Sequence, residues 1–232
     1  NQKHALHLTR FTMHTKELIQ ACYNGSSEMV SQLANAIITY LFNIIMMQLV
    51  GEHGVAAITI LLYGQFLFNA FYLGFTIGIS PIVGFQYGAG DKQKLRNIYH
   101  TSFLFVAASS VFMAVIAIVL SPTIVTIFTD DPATYELAAA GFRLFAINFL
   151  FSGISITSSG FFTALSNGTI SAVISFCRTL GFIVLSLLIL PKFLGITGAW
   201  IAIPVAEFCT LLVTGVMHFV YFWKPGIRNY LR

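Results

Sequence analysis

The stretch GFTIGISPIVGFQYGAGDKQKLR, residues 74–96, determines how this chain folds, because it passes from an apolar helix directly into a charged turn. Its first half has the composition of a membrane helix. Gly74 and Gly78 lie four residues apart, a spacing that predicts a bare helix face on which a neighbouring helix can pack closely. Pro81 removes a backbone donor and is expected to kink this helix.

The second half of the stretch predicts a helix end on the cytoplasmic side of a membrane. Gly88 and Gly90 indicate where the helix ends, because glycine accepts the left-handed conformation that follows many helices. Asp91 is expected to cap the next helix. Three cations follow within five residues: Lys92, Lys94 and Arg96. Cations beside an apolar run are typical of cytoplasmic loops, so this corner orients the whole chain.

The composition of the chain indicates an integral membrane protein. Apolar residues make up 57% of the 232 residues and charged residues 9%, and the mean hydropathy is +0.83. A soluble domain would carry about 25% charged residues. The net charge of +4 comes from cations at loop ends. We therefore expect contacts with anionic lipid head groups and none with nucleic acid.

Apolar runs long enough to cross a bilayer divide the chain into six predicted spans. They cover residues 26–50, 54–88, 97–128, 134–165, 169–190 and 198–223. We expect a cytoplasmic or interfacial lead-in at 1–16, a six-helix lobe at 17–223 and a cytoplasmic tail at 224–232. Six spans place both termini on one side. Nine cations fall on that side and one, Lys192, on the other, which predicts cytoplasmic termini.

Polar side chains follow one face of several predicted spans. In the first span Glu28 and four further residues are spaced by 4, 3, 4 and 4, which places them on one narrow helix face. Similar spacings occur in the second, fourth and fifth spans. The residues predicted to line a cavity are Gln32, Asn35, Thr39, Asn43, Gln65, Asn69, Tyr72, Asn148, Ser155 and Arg178.

Two interpretations of these polar faces remain open, namely helix packing and a water-accessible cavity. Serine and threonine commonly bond their own helix or a neighbouring one, so the serine-rich fourth and fifth spans fit either interpretation. The first span favours a cavity, because a charged side chain at the bilayer centre costs about 2.5–3.5 kcal/mol on insertion scales.

Four ionisable residues within the spans are candidates for ion or substrate chemistry. Glu28 is the leading candidate to exchange a proton or hold Na⁺, the alternative being a solvated carboxylate at the interface. Arg178 is expected to pair with a carboxylate, meet an anionic group or extend to the cytoplasm. Glu207 is the secondary acidic candidate, although a structural pair with an arginine is favoured. His218, near a helix end, is expected to be solvated.

The sequence lacks the motifs of common enzyme classes. It contains no GxxxxGK[ST] phosphate loop, no HExxH, no GxSxG and no calcium-binding EF-hand loop. Cys22, Cys177 and Cys209 have no CxxC spacing, so neither a disulfide nor a zinc site is predicted. We expect no enzymatic activity, no metal and no cofactor. An ion gradient of H⁺ or Na⁺ would then supply the energy for any transport.

The turn motif resembles a signature of the multidrug and toxic compound extrusion (MATE) transporters. Pro81, Gly84, Gln86, Gly88, Gly90 and Asp91 carry this resemblance, together with the basic residues that follow. Ser26-Ser27-Glu28-Met29 is similar to the first helix of the family's C-terminal lobe, and the segment at 193–200 to its last hairpin. Ser155 stands where some members carry a second acidic residue, so a two-carboxylate site is not expected.

The resemblance implies that the chain is the six-helix C-terminal half of a twelve-helix transporter whose N-terminal lobe lies outside this sequence. Its implied function is export of amphipathic or cationic drugs by alternating access, coupled to H⁺ or Na⁺, with Glu28 as the coupling residue. The implied location is the bacterial inner (plasma) membrane. Alternatives are a lipid-linked saccharide flippase of the same superfamily and a membrane scaffold subunit without transport activity.

Overall fold

The computed structural model describes residues 15–223, with side chains at 15 and 33–221, and this part of the chain is helical. Most of the predicted lead-in and all of the predicted tail lie outside it. The helices are α1 (Thr15–Leu49), α2 (Glu52–Gly88), α3 (Lys92–Phe128), α4 (Pro132–Phe145), α5 (Phe149–Ala164), α6 (Gly168–Phe176) and α7 (Phe182–Trp223). A 3-10 turn, Ala146–Asn148, joins α4 to α5, and a π-helical segment, Cys177–Gly181, joins α6 to α7.

Four helical runs in the described region are long and apolar enough to cross a membrane. They are Glu52–Gly88, Lys92–Phe128, Pro132–Ala164 and Gly168–Tyr221, and a shorter apolar helix covers Leu33–Leu49. Large apolar side chains such as Phe66, Leu104 and Phe193 are exposed on the outside of the bundle. Such a surface suits lipid rather than water, so the chain is an integral membrane protein.

The last helical run is divided at Gly195, whose backbone (φ 55°, ψ −135°) is not helical. Gly195 lies between the predicted fifth and sixth spans, which end at 190 and begin at 198, but the helix continues through Pro191, which was expected to end the fifth span. The helix that contains the first predicted span is longer than that span, because α1 begins at Thr15 and continues through Asn24-Gly25-Ser26.

The corner between α2 and α3 confirms the expected cap chemistry. Gly90 is left-handed (φ 70°), and the Asp91 and Gly90 amides donate to the carbonyls of Gln86 and Tyr87, both at 3.1 Å. This is the Schellman pattern of helix termination. Asp91 then caps α3 by accepting from the Lys94 amide at 3.0 Å. The helix remains continuous through Pro81, and the expected kink there stays a prediction.

The corner between α5 and α6 repeats this design with different residues. Ser166 takes the left-handed position (φ 57°), and the Asn167 amide donates to the Phe162 carbonyl at 2.9 Å. The Asn167 side chain accepts from the Ile170 amide and caps α6. A serine rather than a glycine therefore carries the left-handed conformation at this corner.

Close helix contacts occur at glycines other than the predicted pair. An added Cβ at Gly74 or Gly78 would meet no atom within 4 Å among the described residues, so the predicted close packing is not found in that part of the lobe. At Gly153 it would meet Tyr72 and Ser110, both at 2.6 Å, and at Gly160 it would meet Thr76. The central run Pro132–Ala164 packs against α2, α3, α6 and α7, and its own glycines make that approach possible.

Candidate functional site

The polar face of α1 is only partly within the described side chains. Asn35 and Thr39 are exposed, and the Thr39 hydroxyl donates to the Asn35 carbonyl at 3.0 Å. Asn43 is half-buried, and its Oδ1 has no hydrogen-bond partner among the residues described. Glu28 and Gln32 lie on α1 where side chains are not described, so their roles stay predictions.

The polar residues of α2 divide between the surface and the interior of the lobe. Gln65 and Asn69 are half-buried, and Asn69 Oδ1 lacks a partner in the described part of the chain. Tyr72 is fully buried, and its hydroxyl donates to the Phe149 carbonyl at 3.3 Å. Tyr72 was expected to line a cavity, but the structure packs it between α2 and α5.

The serine faces of α5 and α6 pack against each other. Ser159 Oγ lies 2.9 Å from Ser171 Oγ and 2.8 Å from Ser175 Oγ, and Thr163 Oγ1 lies 2.7 Å from Ser171 Oγ. Each hydroxyl can donate to one neighbour and accept from another. This network resolves the open interpretation in favour of helix packing for these four residues.

Towards the start of α5 and in the 3-10 turn before it, the polar side chains Asn148, Ser152 and Ser155 are completely buried. Asn148 donates from Nδ2 to the Phe145 carbonyl at 2.6 Å, while its Oδ1 has no partner among the described residues. Ser152 Oγ also has no hydrogen-bond partner among the described residues. Ser155 donates weakly to the Phe151 carbonyl at 3.4 Å. Asn148 and Ser155 therefore line the interior of the bundle rather than an open wall.

Arg178 and Glu207 form an ion pair inside the bundle, with 3.0 Å between Nε and Oε1. The Nε–H bond does not point along this line, so the contact is an ion pair without an aligned hydrogen bond. The Glu207 side chain is 1% exposed and the Arg178 side chain 18%. The sequence analysis gave an ion pair with a carboxylate as one of three options for Arg178, and a pair with an arginine as the favoured interpretation of Glu207. The structure confirms this pairing.

His218 is not solvated, contrary to the sequence-based expectation. Its Nε2 lies 3.0 Å from Ser158 Oγ and its Nδ1 lies 3.3 Å from the Tyr99 hydroxyl. The rings of Phe103 and Phe162 lie against the imidazole, at centroid distances of 5.3 and 4.7 Å. Proximity to the helix end was misleading, because α7 packs its final turns against α3 and α5.

The sequence reasoning missed a polar contact at the opposite end of the lobe. His53 Nδ1 lies 2.9 Å from Asp131 Oδ2 and 3.1 Å from Thr134 Oγ1, which ties the start of α2 to the start of α4. A groove of about 540 Å³ lies beside it, with Trp200 among its walls. Asp131-Pro132 is a recognisable helix start, whereas no local signal identifies His53 as its partner.

Comparison with known proteins identifies the family. The MatE family model matches residues 29–188, which is more than half of the chain. Human multidrug and toxin extrusion protein 1 is 28% identical over 143 residues, which cover 60% of this chain and 24% of that protein.

Solved structures show the same fold. The inward-facing form of a multidrug resistance MATE family transporter matches with a TM-score of 0.82 and 20% identity, over 90% of this chain and 49% of that one. A Pyrococcus furiosus transporter of the MOP superfamily, described as having a binding pocket of reversed polarity, matches with a TM-score of 0.80 and 18% identity, over 96% and 49%. The chain thus spans about half the length of these transporters. Given the match over most of its sequence, the chain belongs to the MatE family.

Proposed function

We propose that this chain is one lobe of a secondary transporter that exports amphipathic or cationic compounds in exchange for H⁺ or Na⁺. One observation carries this proposal: the fold matches solved transporters over nine-tenths of this chain but only half of theirs. A second lobe would supply the other half of the substrate pathway. Rocking of the two lobes would then expose that pathway to each side of the membrane in turn.

The division at Gly195 supports a lobe of six spans. It divides the long final run at a non-helical residue, and in this proposal the two parts would cross the membrane in opposite directions. With α1 counted, the chain would then cross six times, and both termini would lie on the side of the α2–α3 corner. Cytoplasmic loops carry an excess of cations, so Lys92, Lys94 and Arg96 at that corner support a cytoplasmic location for this side, and a bacterial plasma membrane is the location that we propose.

Glu28 is the coupling residue in this proposal. Its backbone lies in α1, on the helical face that it shares with Asn35 and Asn43, and no other acidic residue lies on that face within the predicted span 26–50. A tenfold difference in ion affinity between the outward- and inward-facing states corresponds to about 1.4 kcal/mol, enough to bias their populations tenfold. Competition of ion and cationic substrate for one carboxylate would produce exchange rather than cotransport.

The experiment compares the transporter containing this lobe with its Glu28→Gln variant in liposomes. We expect gradient-driven efflux of a fluorescent cation by the parent and none by the variant, although the variant folds and inserts. The 232-residue chain alone should give no efflux. Efflux at the parental rate by the Gln variant would make Glu28 structural, and robust efflux by a demonstrated monomer of this chain would refute the two-lobe proposal.

The saccharide flippase alternative receives no support from the site. That function requires cationic groups for a pyrophosphate, and Arg178 was the one cation in the predicted cavity. Its charge is balanced by Glu207 at 3.0 Å, which leaves little net positive charge at this position.

A further inference from the structure

A groove opens at the end of the lobe where α1 passes into α2 and where α4 begins. Its volume is about 540 Å³, and its walls come from that corner, from α4 and from the part of α7 that follows Gly195. We call it the Trp200 groove. His53, Glu136 and Thr197 are its polar lining residues. The larger apolar side chains that line it are those of Val50, Leu137, Leu144, Ile196 and Trp200.

The Trp200 groove extends from the head-group layer into the hydrocarbon of one leaflet. The run Pro132–Ala164 has 33 residues. Its length of about 50 Å exceeds the hydrocarbon thickness of about 30 Å, so a centred run extends about 10 Å beyond the hydrocarbon at each end. Glu136 then lies at the level of the head groups, and Leu144, about 12 Å further along the helix, lies in the hydrocarbon. Leu49 and Ile147, which adjoin the groove in sequence, are exposed, as lipid-facing side chains are.

The polar end of the Trp200 groove presents two hydrogen-bond acceptors. His53 Nδ1 lies 2.9 Å from Asp131 Oδ2 and 3.1 Å from Thr134 Oγ1. The Thr134 hydroxyl donates to Asp131, so it has no proton left for His53, and the neutral ring carries its proton on Nδ1. His53 Nε2 is then an acceptor, and no described residue donates to it. The Glu136 carboxylate lines the same groove and forms no ion pair with a described residue.

A cation lies on the same face of α4 as Glu136. Arg143 follows Glu136 by seven residues, which is two helical turns, and directly precedes Leu144 of the groove wall. Arg143 is exposed and has no carboxylate partner in the described part of the chain. Long cationic side chains lean towards the start of their helix and extend to the membrane interface. We therefore expect the guanidinium to reach towards the level of Glu136.

These groups are complementary to a zwitterionic lipid head group. A primary ammonium has three N–H donors for the Glu136 carboxylate and His53 Nε2, and a guanidinium binds a phosphate through paired hydrogen bonds. The apolar walls below would bury the start of an acyl chain. An amphipathic cation without a phosphate would be attracted by Glu136 and repelled by Arg143, and an anionic lipid would meet the opposite combination.

We propose that the Trp200 groove binds one phosphatidylethanolamine molecule of the surrounding leaflet, with its ammonium at Glu136 and His53 and its phosphate at Arg143. The bound lipid would bridge the α1–α2 corner, α4 and the start of the last membrane crossing, which together form the groove. This lipid site requires only that the lobe is embedded in a bilayer. It therefore goes beyond the proposed export function and does not depend on it.

The test measures lipid binding to the purified transporter containing this lobe, by native mass spectrometry in detergent. Phosphatidylethanolamine is compared with phosphatidylcholine of the same acyl chains, whose trimethylammonium has no N–H donor. We expect one phosphatidylethanolamine to bind about tenfold more tightly than phosphatidylcholine. Glu136→Gln should abolish this preference by weakening the binding of phosphatidylethanolamine alone. Arg143→Gln should weaken the binding of both lipids, because both carry the phosphate.

Glu52→Gln is the matched control for the loss of a carboxylate. Glu52 is exposed at the same end of the lobe but does not line the groove, so this variant should prefer phosphatidylethanolamine as the parent does. Glu136 and Arg143 are also exposed, so none of the three substitutions disturbs buried packing. Equal affinity of the parent for the two lipids, or a preference that persists in Glu136→Gln, would overturn the proposal.

A photo-crosslinking amino acid at Ala140 identifies the occupant of the groove in a membrane. Ala140 is exposed and lines the groove. In liposomes that contain phosphatidylethanolamine we expect an adduct with the mass of one such lipid. A cross-link to the second lobe or to a second copy would show that protein covers the groove. An adduct with an added amphipathic cation that displaces the lipid would assign the groove to that ligand, and either result would overturn the lipid site.

Discussion

Gly153 occupies the tightest helix contact around Tyr72. A Cβ added there would lie 2.6 Å from Ser110 Oγ and 2.6 Å from Tyr72 Cε1, well inside normal contact distance. The Tyr72 ring is fixed because its hydroxyl donates to the Phe149 carbonyl. Within a membrane, helix association depends on such close packing, because lipid tails are as apolar as leucine.

We expect Gly153→Ala to destabilise the lobe by about 1–3 kcal/mol, since the extra methyl forces the buried ring or the helices to move. Thermal unfolding in detergent gives the comparison. Gly78→Ala is the control, because its Cβ would meet no described atom within 4 Å and alanine favours helix. Equal melting temperatures for the two variants would show that the α2–α5 contact adapts freely.

At the scale of helices, three of the described corners are held by side-chain caps, in two arrangements. At the α2–α3 corner the left-handed Gly90 is followed by Asp91, whose side chain caps α3. At the α5–α6 corner the left-handed Ser166 is followed by Asn167, whose side chain caps α6. The α3–α4 corner instead uses Asp131, whose Oδ2 accepts from the Thr134 amide at 2.9 Å and the Thr134 hydroxyl at 2.6 Å. These hydrogen bonds, followed by the charge of His53, hold the pKa of Asp131 below its ordinary value of 3.8.

The depressed pKa of Asp131 fixes the sign of a pH effect on the start of α4. Its stabilising contribution is fully present above the unfolded-state pKa near 3.8 and is lost as pH falls through the lower folded-state pKa. We therefore expect acidification below about pH 4 to loosen this corner, measured as a lower protection factor for the Thr134 amide once the exchange rate is corrected for its intrinsic pH dependence. Asp131→Asn keeps an acceptor oxygen and should remove the pH dependence. Unchanged pH dependence in that variant would assign the effect to other groups.

For the whole molecule, the orientation in the membrane decides which corners face which compartment. The α2–α3 corner carries Lys92, Lys94 and Arg96, whereas Asp130 and Asp131 lie at the corner on the other side of the bundle. Cytoplasmic loops carry an excess of cations, so we infer that the first corner is cytoplasmic and the second faces outward.

Single cysteines test this orientation in a background without the native cysteines. At Gly90 and Arg228 we expect protection from an impermeant thiol reagent in intact cells, and at Asp131 we expect labelling. All three should react after the membrane is permeabilised, which controls for their accessibility. Labelling of intact cells at Gly90 but not at Asp131 would reverse the topology.

The sequence by itself determined the features that depend on local interactions. The length of the apolar runs identified an integral membrane protein, and Gly90 and Asp91 identified the cap between α2 and α3. Residues 81–91 indicated the family. Each of these follows from a few neighbouring residues and their conformational preferences. The limits of local information are visible at Pro191, where a residue that can end a helix does not end this one.

Only the tertiary structure decided which polar faces meet. Arg178 and Glu207 are distant in sequence, and either could have faced lipid, water or a partner until the helices were packed. The same packing joined Ser159 to Ser175 and enclosed His218 among aromatic rings. Helical periodicity shows that polar residues share a face but not what lies opposite, because the neighbour of a membrane helix is set by the shape of the whole bundle.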